Sequence, residues 1–293
     1  SHGAGADLGV QRSQVVLAQA ELKVVRKALA SKPPNYDLCL SSATTALTLS
    51  PNSEELRLLR AECYLQTQDW DSTVGDLSRA AALSPSLPPH LLLRVALVSA
   101  LLLDNGLSIS PDALLPLKRC LSADPDSKAC RGAFKALKKI EKDLSKLRNW
   151  VDGGRWGEAA LTIAGSSTSS GVLSTLRALL ESYQSPLPSS PSFPAPLPTS
   201  PTLERASPLI THLLSTLCKA YVTLGQTRKA GPACEDILER SPEDVWGLVG
   251  RGDKLMTEEN WEEAVQALSA AFEATGRSDR EVSMRGLGSE DGS

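Results

Sequence analysis

Four helical runs in this 293-residue chain close on Ser-Pro or Asp-Pro, at Pro51, Pro85, Pro125 and Pro242. Proline cannot continue a helix, so each closure marks a stop. Pro51 and Pro85 stand 34 positions apart. That is the period of a repeat in which two antiparallel helices form one hairpin. A hairpin of this size cannot bury its apolar face alone, so the pattern constrains the chain to a stack of hairpins.

The clearest hairpin is the second. Ser53 caps EELRLLRAECYLQ, the turn TQD follows, and WDSTVGDLSRAAAL returns to Pro85. Ala61, Tyr64, Trp70, Leu77 and Ala80 fall on the packing positions of a tetratricopeptide repeat (TPR). The same reading gives a first hairpin from Gln14–Ser31 and Tyr36–Leu49, and a third from Pro88–Leu103 and Pro111–Ala123. A fourth comes from Ser127–Val151 and WGEAALTIAG, a fifth from Pro208–Leu224 and Ala230–Arg240, and a sixth from Asp244–Met256 and NWEEAVQALSAAFEATG. The expected fold is all-α, a right-handed solenoid of about six hairpins with no strands. Hairpins one to four occupy 14–165 and hairpins five and six 204–276. Between them, 166–203 holds a short helix and a Ser/Pro-rich flexible insertion. Residues 1–13 and 277–293 are expected to be disordered ends.

Composition narrows the function. A net charge of -3 and 4% aromatic residues argue against a nucleic-acid surface. No apolar run reaches the ~18 residues that span a bilayer, and the longest, His90–Asp104, carries Arg94. The first residues lack a signal peptide's basic and apolar regions. No phosphate-cradling glycine loop, HExxH or GxSxG occurs, so neither enzyme nor cofactor is expected. The three histidines, His2, His90 and His212, form no ligand cluster. Trp70, Trp156 and Trp261 open second helices, where packing inside the hairpin is the expected role.

The cysteines and one helix carry the candidate sites. Cys120 and Cys130 flank a short turn between antiparallel helices, and Cys218 and Cys234 face each other in the fifth hairpin. Disulfides at both pairs and cysteine as a small apolar filler are both open readings. Cys39 and Cys63 are read as core. Lys128, Arg131, Lys135, Lys138, Lys139 and Lys142 make one helix basic, giving either a solvated face or a docking surface for an acidic partner. The last two hairpins are acidic, which either orients a partner or steadies neighbouring repeats. The groove-side positions of first helices hold Leu58, Glu62, Ser215 and Lys219, which lack the set needed to clamp an acidic chaperone tail.

ELRLLRAECYLQ with DLSRAAALSP, CLSADPDSKACRGAFKALKKIEK with DGGRWGEA, and LCKAYVTLGQTRKAGPAC with ENWEEAV resemble, in order, a known family. It is the ER-lumenal co-chaperone family that joins TPRs to a C-terminal J domain, the DnaJ subfamily C member three type. The resemblance covers about residues 50–275, broken by the Ser/Pro tract, which has no counterpart there. It implies disulfides Cys120–Cys130 and Cys218–Cys234 in an oxidising lumen. It implies unfolded clients as partners and, through a J domain not found in these residues, lumenal Hsp70. A protein kinase is a further partner by the family's inhibitory role, though no residue here carries that role. The expected function is a protein-binding spacer between client-binding repeats and a J domain, in ER protein folding and the unfolded-protein response. The alternative is a cytosolic scaffold that assembles a complex, with its cysteines reduced.

Overall fold

The structure, a computed structural model, describes residues 3–84, 89–182 and 204–275. Its helices are α1 (Gly3–Ala30), α2 (Tyr36–Leu49), α3 (Glu54–Gln66), α4 (Trp70–Leu83), α5 (Pro89–Leu101), α6 (Leu115–Ala123) and α7 (Lys128–Asp152). Then follow α8 (Trp156–Ala164), α9 (Val172–Ser182), α10 (Pro208–Thr223), α11 (Thr227–Arg240), α12 (Val245–Thr257) and α13 (Trp261–Ala274). Consecutive helices pair as α1/α2, α3/α4, α5/α6, α10/α11 and α12/α13. The chain divides into two compact units. The first takes in described residues up to Leu103 and Ser110–Lys135; the second takes in Asp104–Ile109, Ala136–Ser182 and the described residues from 204 onward. The division falls within α7.

Helix starts follow from capping. The side chains of Asn35, Ser53, Asp69, Ser207 and Asp244 accept from the backbone N–H three residues on, at Leu38, Leu56, Ser72, Ile210 and Gly247. Each satisfies a donor that the first helical turn leaves unpaired. The turns inside four hairpins share one geometry. Gln68, Gly154, Gly225 and Glu259 take φ of 63°, 66°, 65° and 61°. The N–H of the next residue donates back to Tyr64, Trp150, Tyr221 or Leu255. Two of these left-handed positions are glycine, which accepts them without strain; Gln68 and Glu259 do so at a cost.

Burial follows the helical period. In α7, Cys130, Ala133, Leu137, Ile140, Leu144 and Leu147 are all buried, at alternating spacings of three and four, so one stripe faces inward. Val25, Ala28, Cys39, Ala43, Leu59 and Cys63 form a core shared by α1, α2 and α3.

Four expectations need correction. Helix α1 starts at Gly3, not near Gln14; no proline interrupts Gly3–Ala30, and the glycines at 3, 5 and 9 are accommodated. Helix α11 starts at Thr227 and runs through Pro232 in its second turn, where the proline gives up one intrahelical bond. The second helix of the third hairpin begins as a 3-10 turn at Pro111–Leu114 before α6. A two-stranded ribbon, β1 (Gly165–Ser166) with β2 (Ser169–Ser170), stands where no strand was expected. It rests on a close crossing that only glycine permits. A Cβ on Gly171 would lie 2.2 Å from the Ile163 carbonyl oxygen, and one on Gly165 would lie 2.5 Å from the Gly171 nitrogen. The Ser/Pro tract at 185–202 and the C-terminal stretch 277–293 lie outside the described residues.

Candidate functional site

All six cysteines pair, with their sulfurs at bonding distance. Cα separations are 6.3 Å for Cys120 and Cys130, 4.9 Å for Cys218 and Cys234, and 6.4 Å for Cys39 and Cys63. All three lie within the range that a disulfide spans, and all six residues are buried. The third pair corrects the reading of Cys39 and Cys63 as unlinked core. They stand 24 residues apart on helices of different hairpins, so only the stacking of α3 on α2 brings them together. Cys120 and Cys130 likewise join successive hairpins, α6 to α7, whereas Cys218 and Cys234 close one hairpin.

The basic residues of α7 occupy its outer side. Lys128, Arg131, Lys135, Lys138, Lys139 and Lys142 are exposed, opposite the buried stripe. Arg131 donates to the Pro125 carbonyl and lies 3.5 Å from Asp126, and Lys139 Nζ donates to Ser170 Oγ at 3.0 Å.

The groove-side positions are used internally. Leu58 is buried. Glu62 lies 2.9 Å from Arg94 of α5, with side chains only 1% and 4% exposed. Burial pushes the Glu62 carboxyl up and the Arg94 guanidinium down, in each case against the pull of the partner. Ser215 donates to Asp244 at 2.7 Å. The Lys219 ammonium sits 5.1 Å and 4.4 Å from the rings of Trp156 and Trp246, a cation–π contact on both sides. None of the four is arranged as a clamp for a peptide carboxylate. Trp156 therefore supports a lysine, and Trp261, 56% exposed, is no packing residue at all.

A second charged network was not foreseen. Asp76 of α4, 4% exposed, accepts from Arg57 at 3.0 Å and from Arg60 at 2.6 and 2.9 Å. The bond to Asp76 is the main cause that raises the Arg60 pKa. His212 Nε2 lies 2.9 Å from Asp104 Oδ1. The Asp104 carboxyl is held low chiefly by the Gly106 N–H and next by His212. Among the described residues no cluster of three or more His, Cys, Asp or Glu can hold a metal ion, and no helix is long and apolar enough to cross a membrane.

No protein-family profile matches the chain. The tetratricopeptide repeat and J domain-containing co-chaperone DNJ1 of Cryptococcus neoformans is 32% identical over 244 residues, covering 83% of this chain and 44% of that protein. DNJ1 of Mycosarcoma maydis is 31% identical over 252 residues, covering 84% and 42%. DnaJ homolog subfamily C member 3 of Gallus gallus is 24% identical over 253 residues, covering 86% and 42%. The chain thus spans under half the length of these relatives. The crystal structure of the P58(IPK) TPR domain superposes with a TM-score of 0.62 at 19% identity, covering 99% of this chain and 69% of that one. Repeat register, helix pairing and these similarities agree: the chain is an all-α tetratricopeptide-repeat protein, homologous to the TPR- and J-domain co-chaperones.

Proposed function

We propose that the chain is the repeat segment of an Hsp70 co-chaperone, a non-enzymatic spacer that holds unfolded client proteins at a set distance from the chaperone a J domain recruits. The observation that carries this reading is the similarity to co-chaperones along 83% of the chain. Stacked hairpins suit the role, because each contacts only its neighbours and the array transmits position rather than chemistry. The exposed lysines and arginine of α7 offer a docking face for an acidic partner. A kinase partner has no residue here to support it.

The compartment is part of the proposal. Six cysteines that pair without remainder fit an oxidising lumen, where disulfides persist. We therefore infer disulfides at Cys120–Cys130, Cys218–Cys234 and Cys39–Cys63, and residence in the endoplasmic reticulum lumen, where the unfolded-protein response operates.

Two experiments test the halves separately. A chimaera with the chain between a client-binding repeat array and a J domain should support coupled refolding by Hsp70; a Gly/Ser linker of equal length in its place should not. Equal refolding with the linker would overturn the spacer role. Peptide mass mapping of the chain isolated from cells with thiols blocked should recover all three linked pairs. Free thiols throughout would remove the lumenal assignment and leave the fold untouched.

A further inference from the structure

The helices α3 and α4 form an open-sided cavity of about 370 Å³, lined by Arg57, Arg60 and Tyr64 from the first helix and Ser72, Gly75, Asp76 and Arg79 from the second. Three guanidiniums face one carboxylate there. The back wall is rigid. Arg57 donates to the Pro51 carbonyl as well as to Asp76, and Arg60 adds a bond to Thr44 Oγ1 at 3.1 Å. The Arg60 guanidinium also lies 5.6 Å from the Tyr64 ring centroid. Asp76 orients both arginines but neutralises only one. Arg79, exposed at the mouth, has no ion pair or hydrogen bond among the described residues, so the cavity keeps an excess of two positive charges.

Gly75 supplies an independent observation. It lies inside α4, where glycine costs about 1 kcal/mol relative to alanine. Neither packing nor backbone explains it: its φ is not in the left-handed region, and a Cβ built there meets nothing within 4 Å. What glycine does provide is open space on the cavity floor, which it lines together with the three arginines.

We propose that this cavity binds an aspartate or glutamate side chain of an acidic peptide segment. The unused Arg79 fork matches a carboxylate's geometry, and Arg57 and Arg60, already held by Asp76, Pro51 and Thr44, add positive charge beside it with little further loss of freedom. The volume exceeds that of a bare oxyanion several-fold, and the Tyr64 ring and Gly75 backbone give it apolar surface for the peptide chain. Charge and room together favour a peptide carboxylate over a free inorganic anion. The site is separate from the groove-side positions, since Leu58 and Glu62 are buried.

The test uses the whole 293-residue chain and a fluorescent, acetylated Asp/Glu heptapeptide, with binding read by anisotropy at low salt. Arg79→Gln should weaken binding roughly tenfold, the loss of one charge-assisted contact. Gly75→Leu should weaken it similarly while holding or raising Tm, because the floor is filled and helix propensity rises. A purely structural role for these residues would not lower binding as Tm rises. Inorganic phosphate should compete only weakly, and the Asn/Gln peptide should not bind. The proposal is overturned if the acidic peptide fails to bind or if both variants bind it unchanged. It is equally overturned if phosphate binds where the peptide does not, or if Lys135→Gln with Lys139→Gln abolishes binding in their place.

Discussion

The second and third hairpins and the fifth and sixth hairpins solve the same stacking problem with different chemistry. In the first region, α3 meets its neighbours through charge: Asp76 ties Arg57 and Arg60, and Glu62 meets Arg94 at almost no exposure. In the second, α12 approaches its neighbours through the absence of side chains. A Cβ on Gly247, Gly250 or Gly252 would lie 2.8 Å from Leu238, 2.3 Å from the Cys234 sulfur and 2.7 Å from Leu268 respectively. Charge fixes register through direction but is costly to bury. Glycine fixes register through distance and leaves dispersion contacts to hold it. The charged interface should therefore fail when one partner is lost and recover when both are. The glycine interface should fail on any gain of volume.

The largest expected effect is at the buried pair. Arg94→Met leaves the Glu62 carboxylate buried without its partner and should cost about 3–5 kcal/mol in urea melts. The double change with Glu62→Leu should return stability close to the parent; a double variant as weak as the single would show that the pair is not what holds α3 to α5. Next, Cys234→Ala under non-reducing conditions should cost about 3 kcal/mol for the loop that it opens. Adding reductant should erase most of the difference between parent and variant. Gly250→Ala should cost about 1–3 kcal/mol by overpacking against Cys234 and Val222, whereas Gly75→Ala, of identical chemistry, should stabilise. If both glycines tolerate alanine equally, the contrast between the two regions is broken.

Smaller effects sharpen the comparison. Gln68→Gly should stabilise by up to about 1 kcal/mol, by relieving a left-handed residue, and Glu259→Gly should act in the same direction. The last prediction concerns pH. Burial raises the Glu62 carboxyl above its ordinary value, so its contribution to stability is full below the unfolded pKa and fades as pH rises through the folded one. Glu62→Gln removes this acid-side gain. Its stability should fall more steeply than the parent's on acidification through the carboxylate range, and parallel slopes would show that Glu62 titrates alike in the folded and unfolded chain.

The hairpins were legible in the sequence because proline closures, capping residues and 3.6-residue periodicity are local signals. So were the pairs Cys120–Cys130 and Cys218–Cys234 as candidates, because each flanks a single turn, the first between successive hairpins and the second inside one. Contacts between hairpins were harder to see. Cys39 and Cys63 looked like filler because their meeting depends on how α3 stacks on α2. Arg94 carried a signal that went unused: a lone charge in LLLRVALVSALLL requires a partner, and Glu62 stands 32 residues earlier, nearly one repeat away. The arginine cavity draws on seven positions of two helices whose exposure no pattern reveals. The β1–β2 ribbon was hidden in a low-complexity stretch, where only the crossing of Gly165 and Gly171 decides the conformation.

The three glycines of α12 also bear on motion. A thirteen-residue helix with glycine at 247, 250 and 252 has poor intrinsic helicity and persists only while α11 and α13 sandwich it. Opening it should therefore release α12 and α13 in one step, and their amide protons should exchange with solvent at a common rate. The sixth hairpin would then behave as a single latch, shut or open with no half-frayed state between.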